Sequence, residues 1–144
     1  MRILKTLLPA LVLFVGASRV EAQGSSFVVV AHESNPITTV KSDELSKIFL
    51  KKITVWRTKL PVVAVDQAET TKIRQQFSRD VHHRDLPSVQ SYWQTQIFSG
   101  RAVPPQQRAS DAEVMAFVAG NPNAIGYVSA NATIAPGLKV LTIE

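Results

Sequence analysis

The sequence predicts an α/β fold, a small mixed sheet flanked by about four helices. Three observations carry it. Short apolar, β-branched runs recur at 27–31, 60–65, 124–128 and 138–143, the length and composition of buried strands. Between them, apolar residues repeat at three- and four-residue spacing, the period of a helix with one buried face. The connections are short and polar, so strands and helices alternate in space as they do along the chain.

In order, Phe27 to Ala31 is the first strand, and it stops at the loop formers His32, Glu33, Ser34, Asn35 and Pro36. Ser42 is expected to cap the first helix, with Asp43 and Glu44 at its positive end and Leu45, Ile48 and Phe49 on its inner face. Leu60 to Val65 gives the second strand. A second helix is expected over 69–80, with Ile73 and Phe77 inward and Asp66 as its cap, partnered by Glu69. The third helix follows Pro87 and turns Val89, Trp93 and Ile97 to the core. Residues 99–108, with Gly100, Pro104 and Pro105, read as a polar loop. Ser110-Asp111-Ala112-Glu113 is a capping box for the fourth helix, which Gly120 ends. The last two strands follow the turn Asn121-Pro122-Asn123. No repeat or second-domain boundary interrupts residues 23–144.

The start of the chain has the order of a secretory signal. Arg2 and Lys5 precede an apolar run from Leu7 to Val15, and Val20-Glu21-Ala22 offers a small-x-small cleavage site. The run is short for a membrane span. The expectation is a signal peptide over 1–22, export to the periplasm and no stable membrane insertion after cleavage. Loss of residues 1–22 removes three basic residues and one acidic one, lowering the net charge from +5 to +3. That mild excess fits either anionic ligands or solvated surface lysines. The basic residues are dispersed, which argues against nucleic acid as a partner. With no cysteine, disulfide and thiolate chemistry are excluded.

Enzymatic patterns are missing. There is no nucleophile elbow, phosphate-binding P-loop or zinc-protease helix motif. His82 and His83 are adjacent, so on a helix they diverge by about 100° and do not chelate together. The carboxylates are explained by helix starts. No catalytic residue, metal or cofactor is therefore expected. Anion binding is the more physical chemistry. A strand-to-helix turn presents unpaired N–H groups at the positive end of a helix, and Thr70, Thr71, Lys72 and Arg74 add hydroxyls and charge there. The same residues also fit a helix cap and a solvated face. Trp93 and Tyr127 fit core packing.

Three segments together resemble a known family. Glu44-Leu45-Ser46-Lys47-Ile48-Phe49 running on to Trp56, Tyr92-Trp93 through Ile97-Phe98-Ser99-Gly100, and Ala124-Ile125-Gly126-Tyr127-Val128 are similar to stretches of phosphate-type binding proteins of ABC importers and their short relatives. The resemblance implies one lobe of a type II periplasmic binding protein, with an ABC transporter as a partner. The family's second-lobe phosphate motif, Arg-Ala-Asp-Gly-Ser-Gly-Thr followed by an aromatic, aligns without a gap when the aromatic is placed on Phe77. Gln67 then stands for the arginine, Ala68 matches, and Glu69 replaces the aspartate. Thr70 and Lys72 take the glycine positions, Thr71 the serine, and Ile73 the threonine. Gln67 lacks the forked charge of arginine, and Lys72 obstructs the approach that glycine permits. The implied site is a weak one for phosphate or another small anion at Thr70, Thr71, Lys72 and Arg74, with Ser34 and Asn35 as further contacts. The alternative is a lone lobe that docks onto another envelope protein.

Overall fold

A computed structural model describes residues 25–144; the expected signal peptide lies outside the described residues. The elements are β1 (Phe27–His32), β2 (Thr39–Val40), α1 (Ser42–Phe49), β3 (Val63–Gln67), α2 (Lys72–His82), α3 (Leu86–Phe98), β4 (Gln106–Arg108), α4 (Asp111–Ala119), β5 (Ala124–Ser129) and β6 (Leu138–Ile143). One six-stranded mixed sheet has the order β2-β6-β1-β5-β3-β4. β1 is antiparallel to both β5 and β6, whereas β3 is parallel to β5 and to β4.

Strand alternation divides the core into two faces and makes the architecture three-layered. On one face Phe27, Val29, Ala31, Ile125 and Tyr127 pack against Leu45, Ile48 and Phe49 of α1 and Phe77 and Val81 of α2. On the other, Val30, Val65, Ala124 and Val128 meet Val114 and Val118 of α4. Gly126 lets α4 approach closely: a β-carbon there would stand 2.7 Å from Val114 Cγ1 and 2.9 Å from Val65 Cγ1. α3 lies outside this double core, holding Val89 and Trp93 against Leu50.

Several local expectations are corrected. The residue capping α1 is Lys41 and not Ser42, and no side chain caps it; the Ser42 N–H instead donates to the Glu144 carbonyl at 2.9 Å. β3 begins and ends later than the apolar run, because Asp66 and Gln67 are buried strand residues. α2 starts at Lys72 with Thr71 as its cap, so Asp66 is not a capping residue. Residues 106–108 of the expected loop form β4, paired with β3. Ile97 faces outward, 51 % exposed. Ser110 caps α4 as expected, its hydroxyl accepting from the Glu113 N–H at 3.2 Å, whereas the Glu113 carboxylate accepts from the Ala109 N–H at 2.8 Å and not from that of Ser110.

Candidate functional site

The turn from β3 into α2 follows from its own residues. Thr71 has extended backbone and stops the helix from starting earlier; its Oγ1 accepts from the Arg74 N–H at 3.1 Å and donates to the Ala68 carbonyl at 3.0 Å. Both capacities of that hydroxyl are thus used within the turn. The N–H groups of Lys72 and Ile73 have no partner among the described residues. They face the positive end of an eleven-residue helix. The Lys72 side chain and Thr70 are exposed.

Arg74 is not at this surface. It is 3 % exposed and turned into the fold, where its Nη1 donates to the Asp66 carboxylate. Asp66 also accepts from the Tyr127 hydroxyl and, at 2.9 Å, from the Gln67 N–H. Tyr127 is stacked on Phe77 with ring centroids 3.8 Å apart. Burial, together with the Asp66 carboxylate, holds the Tyr127 phenol well above its ordinary range, so its proton stays in the bond to Asp66. The sequence assigned Arg74 to anion binding; its charge is already matched in the core. Gln67 is equally occupied, its amide donating to Asp111 at 2.6 Å and to the Tyr127 carbonyl at 3.2 Å.

Ser34 and Asn35 lie at the other end of the sheet from Thr70. In the antiparallel register Ala31 is opposite Ile125 and Phe27 opposite Ser129, while Val63 of β3 pairs with Ala124. The loop after β1 therefore sits where β3 and β5 begin, and the Thr70 turn follows the far end of β3. Ser34 and Asn35 line a small pocket of about 100 Å³ with Trp56 and Asn123. Asn35 Oδ1 accepts from the Ile37 N–H at 3.0 Å, its carbonyl accepts from the Lys139 ammonium, and the Ser34 hydroxyl is 2.7 Å from His32 Nδ1. These two residues fold their own loop. The structure brings Thr70, Thr71 and Lys72 together and leaves the other three candidates out.

A larger cavity that sequence reasoning missed lies between the end of β3, the start of α2 and α3. It has a volume of about 380 Å³ and is lined by Asp66, Glu69 and Arg74, by Gln90, Trp93, Gln94 and Ile97 of α3, and by Pro104 and Gln107. The Gln90 amide donates to Glu69 Oε2 at 2.7 Å, tying α3 to the turn. No local pattern announces such a cavity, since its walls come from segments forty residues apart. Among the described residues no group of His, Asp and Glu side chains is placed to hold a metal ion, and no helix is long and apolar enough to cross a membrane.

Comparison with known proteins places this geometry. A family model described as a PBP superfamily domain matches residues 14–142. The fold is similar to that of a protein from Clostridium perfringens described as a phosphate ABC transporter substrate-binding protein and solved with bound phosphate (20 % identity, TM-score 0.65, covering 82 % of this chain and 44 % of that one). It is also similar to an ABC-type phosphate transport receptor from Vibrio cholerae (16 % identity, TM-score 0.64, 82 % of this chain and 46 % of that one). A third likeness is to a protein from Planctomyces limnophilus described as a possible phosphate binding protein (16 % identity, TM-score 0.62, 83 % and 41 %). The chain spans less than half the length of each of these structures. At such identities the likeness is one of fold. No curated protein matches.

Proposed function

The chain belongs to the PBP superfamily domain family, and from that premise we propose that it is a non-enzymatic, binding-protein-like domain of the periplasm that holds phosphate or another small anion weakly at the start of α2. The observation that carries this reading is the pair of free N–H groups of Lys72 and Ile73, beside the exposed Lys72 ammonium and Thr70 hydroxyl. Phosphate is the ligand class because structural relatives are described as phosphate receptors. The same descriptions make an ABC transporter the candidate partner for delivery. The periplasm is proposed from the signal peptide expected over residues 1–22.

Magnitudes argue for weak binding. A helix end contributes up to ~2 kcal/mol to a bound anion, and an exposed cation adds ~0–1 kcal/mol. Together these fall short of the roughly 4 kcal/mol that corresponds to a Kd of about 1 mM. Glu69 adjoins the turn and opposes an anion, and Arg74 contributes no net charge because Asp66 neutralises it. Titration with phosphate, followed by amide NMR, is expected to move the Lys72 and Ile73 resonances with millimolar or weaker affinity, and Lys72→Ala is expected to weaken the response further. Unmoved resonances at tens of millimolar phosphate would sink this reading.

One observation favours a second reading, docking onto another envelope protein. Phe98, Ile97 and Val103 are 91 %, 51 % and 61 % exposed at the end of α3 and in the segment after it. Ile97 and Phe98 are consecutive, and large exposed apolar side chains next to each other are a feature of contact surfaces. Crosslinking in the periplasm is then expected to trap a complex that Phe98→Ser abolishes. An unchanged crosslinking pattern in that variant would count against docking here.

A further inference from the structure

The 380 Å³ cavity beside α3 has a chemistry distinct from that of the helix start, and its volume suits an amino-acid-sized molecule. Trp93, Ile97 and Pro104 supply an apolar wall, and the amides of Gln90, Gln94 and Gln107 supply neutral donors and acceptors. Three lining groups carry charge. Asp66 and Arg74 are paired to each other, which leaves the Glu69 carboxylate as the net charge of the cavity. No lysine lines it. An inorganic anion is therefore repelled from this site, and a cationic group is drawn to it.

Two lining groups have bonding capacity to spare. Glu69 Oε2 accepts from Gln90, whereas Oε1 has no partner among the described residues. Arg74 gives Nη1 to Asp66, and its Nε is buried with no partner among the described residues. Leaving a buried donor unsatisfied is unfavourable, so an acceptor brought to the edge of the guanidinium that Asp66 leaves free recovers bonding the fold lacks. The pair is neutral overall, which suits an uncharged carbonyl better than a second carboxylate.

We infer that this cavity binds a small amphipathic amine: an ammonium at Glu69, a carbonyl oxygen at the free edge of Arg74, and an apolar body against Trp93, Ile97 and Pro104. That is the chemistry of an apolar amino-acid amide or of the first residue of a peptide. The site stands independently of the anion reading, because the two use different groups and opposite charge.

L-Leucinamide is the probe. Its comparators are 4-methylpentanamide, which lacks the ammonium, and isoamylamine, which lacks the amide. NMR titration is expected to show leucinamide shifting the Trp93 indole and the Gln90 and Gln94 side-chain amides saturably, with each comparator bound about tenfold more weakly or worse, as loss of one charge-assisted bond requires. Glu69→Gln is expected to weaken leucinamide by a similar factor while the phosphate response at Lys72 and Ile73 stays the same or strengthens. An otherwise unchanged amide spectrum shows that the variant is folded. The proposal falls if leucinamide leaves Trp93 unmoved, if 4-methylpentanamide binds as well, or if Glu69→Gln has no effect. Failure of the phosphate titration alone leaves it standing.

Discussion

Replacing Asp66 with alanine is expected to destabilise the protein by about 3–5 kcal/mol, the effect of removing one partner from a buried ion pair. The loss has a definite origin. Arg74 stays 3 % exposed and charged with no counter-ion, and the Tyr127 hydroxyl and the Gln67 N–H both lose their acceptor. A domain of this size has only about 5–15 kcal/mol of stability in total, so the variant sits near the edge of folding. The pair itself is not expected to be strongly stabilising, because withdrawing two charges from water offsets their attraction. Replacing both, Asp66→Leu with Arg74→Met, is therefore expected to recover the part of the loss that comes from the unpaired Arg74 charge, while the Tyr127 hydroxyl and the Gln67 N–H still lack that acceptor. Urea unfolding measures the loss in Asp66→Ala, and with the wild type, Asp66→Leu, Arg74→Met and the double variant it closes the cycle and measures the coupling. A loss below about 1 kcal/mol for Asp66→Ala would mean that Arg74 reaches water when its partner is gone, and the buried network would need redrawing.

Acidification is expected to produce the next largest effect, through His82. Burial, reinforced by the nearby Arg74 guanidinium, lowers its pKa from 6.5 to about 4. In the unfolded chain His82 takes up its proton near pH 6.5; in the fold it does so only near pH 4. Between these values the unfolded state holds more protons, so stability from this group rises with pH across that window and is flat above it. The contribution is complete above about pH 6.5 and lost as pH falls to 4, and the interval corresponds to about 3 kcal/mol. The neutral ring is held by its bond to Ser46, whose Oγ lies 2.8 Å from Nδ1, and by the edge-on packing of Phe77, whose ring centroid is 5.4 Å away. Urea midpoints collected from pH 4 to 7 should slope steeply in the wild type and much less in His82→Gln, whatever the variant's absolute stability. Equal slopes would show that another group carries the acid sensitivity.

Elements with their own pattern were legible in the sequence. β1, β5 and β6 are β-branched runs, and the fourth helix announces itself through Ser110 and Glu113. What was hidden depends on partners distant in the chain. β4 is Gln-Gln-Arg, with no strand composition; it exists because β3 offers an open ladder edge. Residues 39 and 40 become β2 only beside Thr142 and Ile143. Asp66 and Gln67 looked like turn residues because they are polar, yet each is buried with its bonds made by Arg74, Tyr127 and Asp111. The same blindness affected the candidate site. Position in the first turn of a helix suggested that Arg74 was available to a ligand, but whether a cation points outward depends on a carboxylate in the neighbouring strand. The family motif pointed to the β3–α2 turn and could not show that the cavity beside it is walled by α3.

The position of β1 also bears on the order in which the chain can fold. Its two neighbours in the sheet are β5 and β6, so Phe27 waits for Ser129 and Val29 for Leu141. β1 thus has neither neighbour until residues about a hundred positions further along are in place, and closure of so long a loop is slow. The sheet therefore closes late in folding, when residues 27–32 meet 124–129 and 138–143.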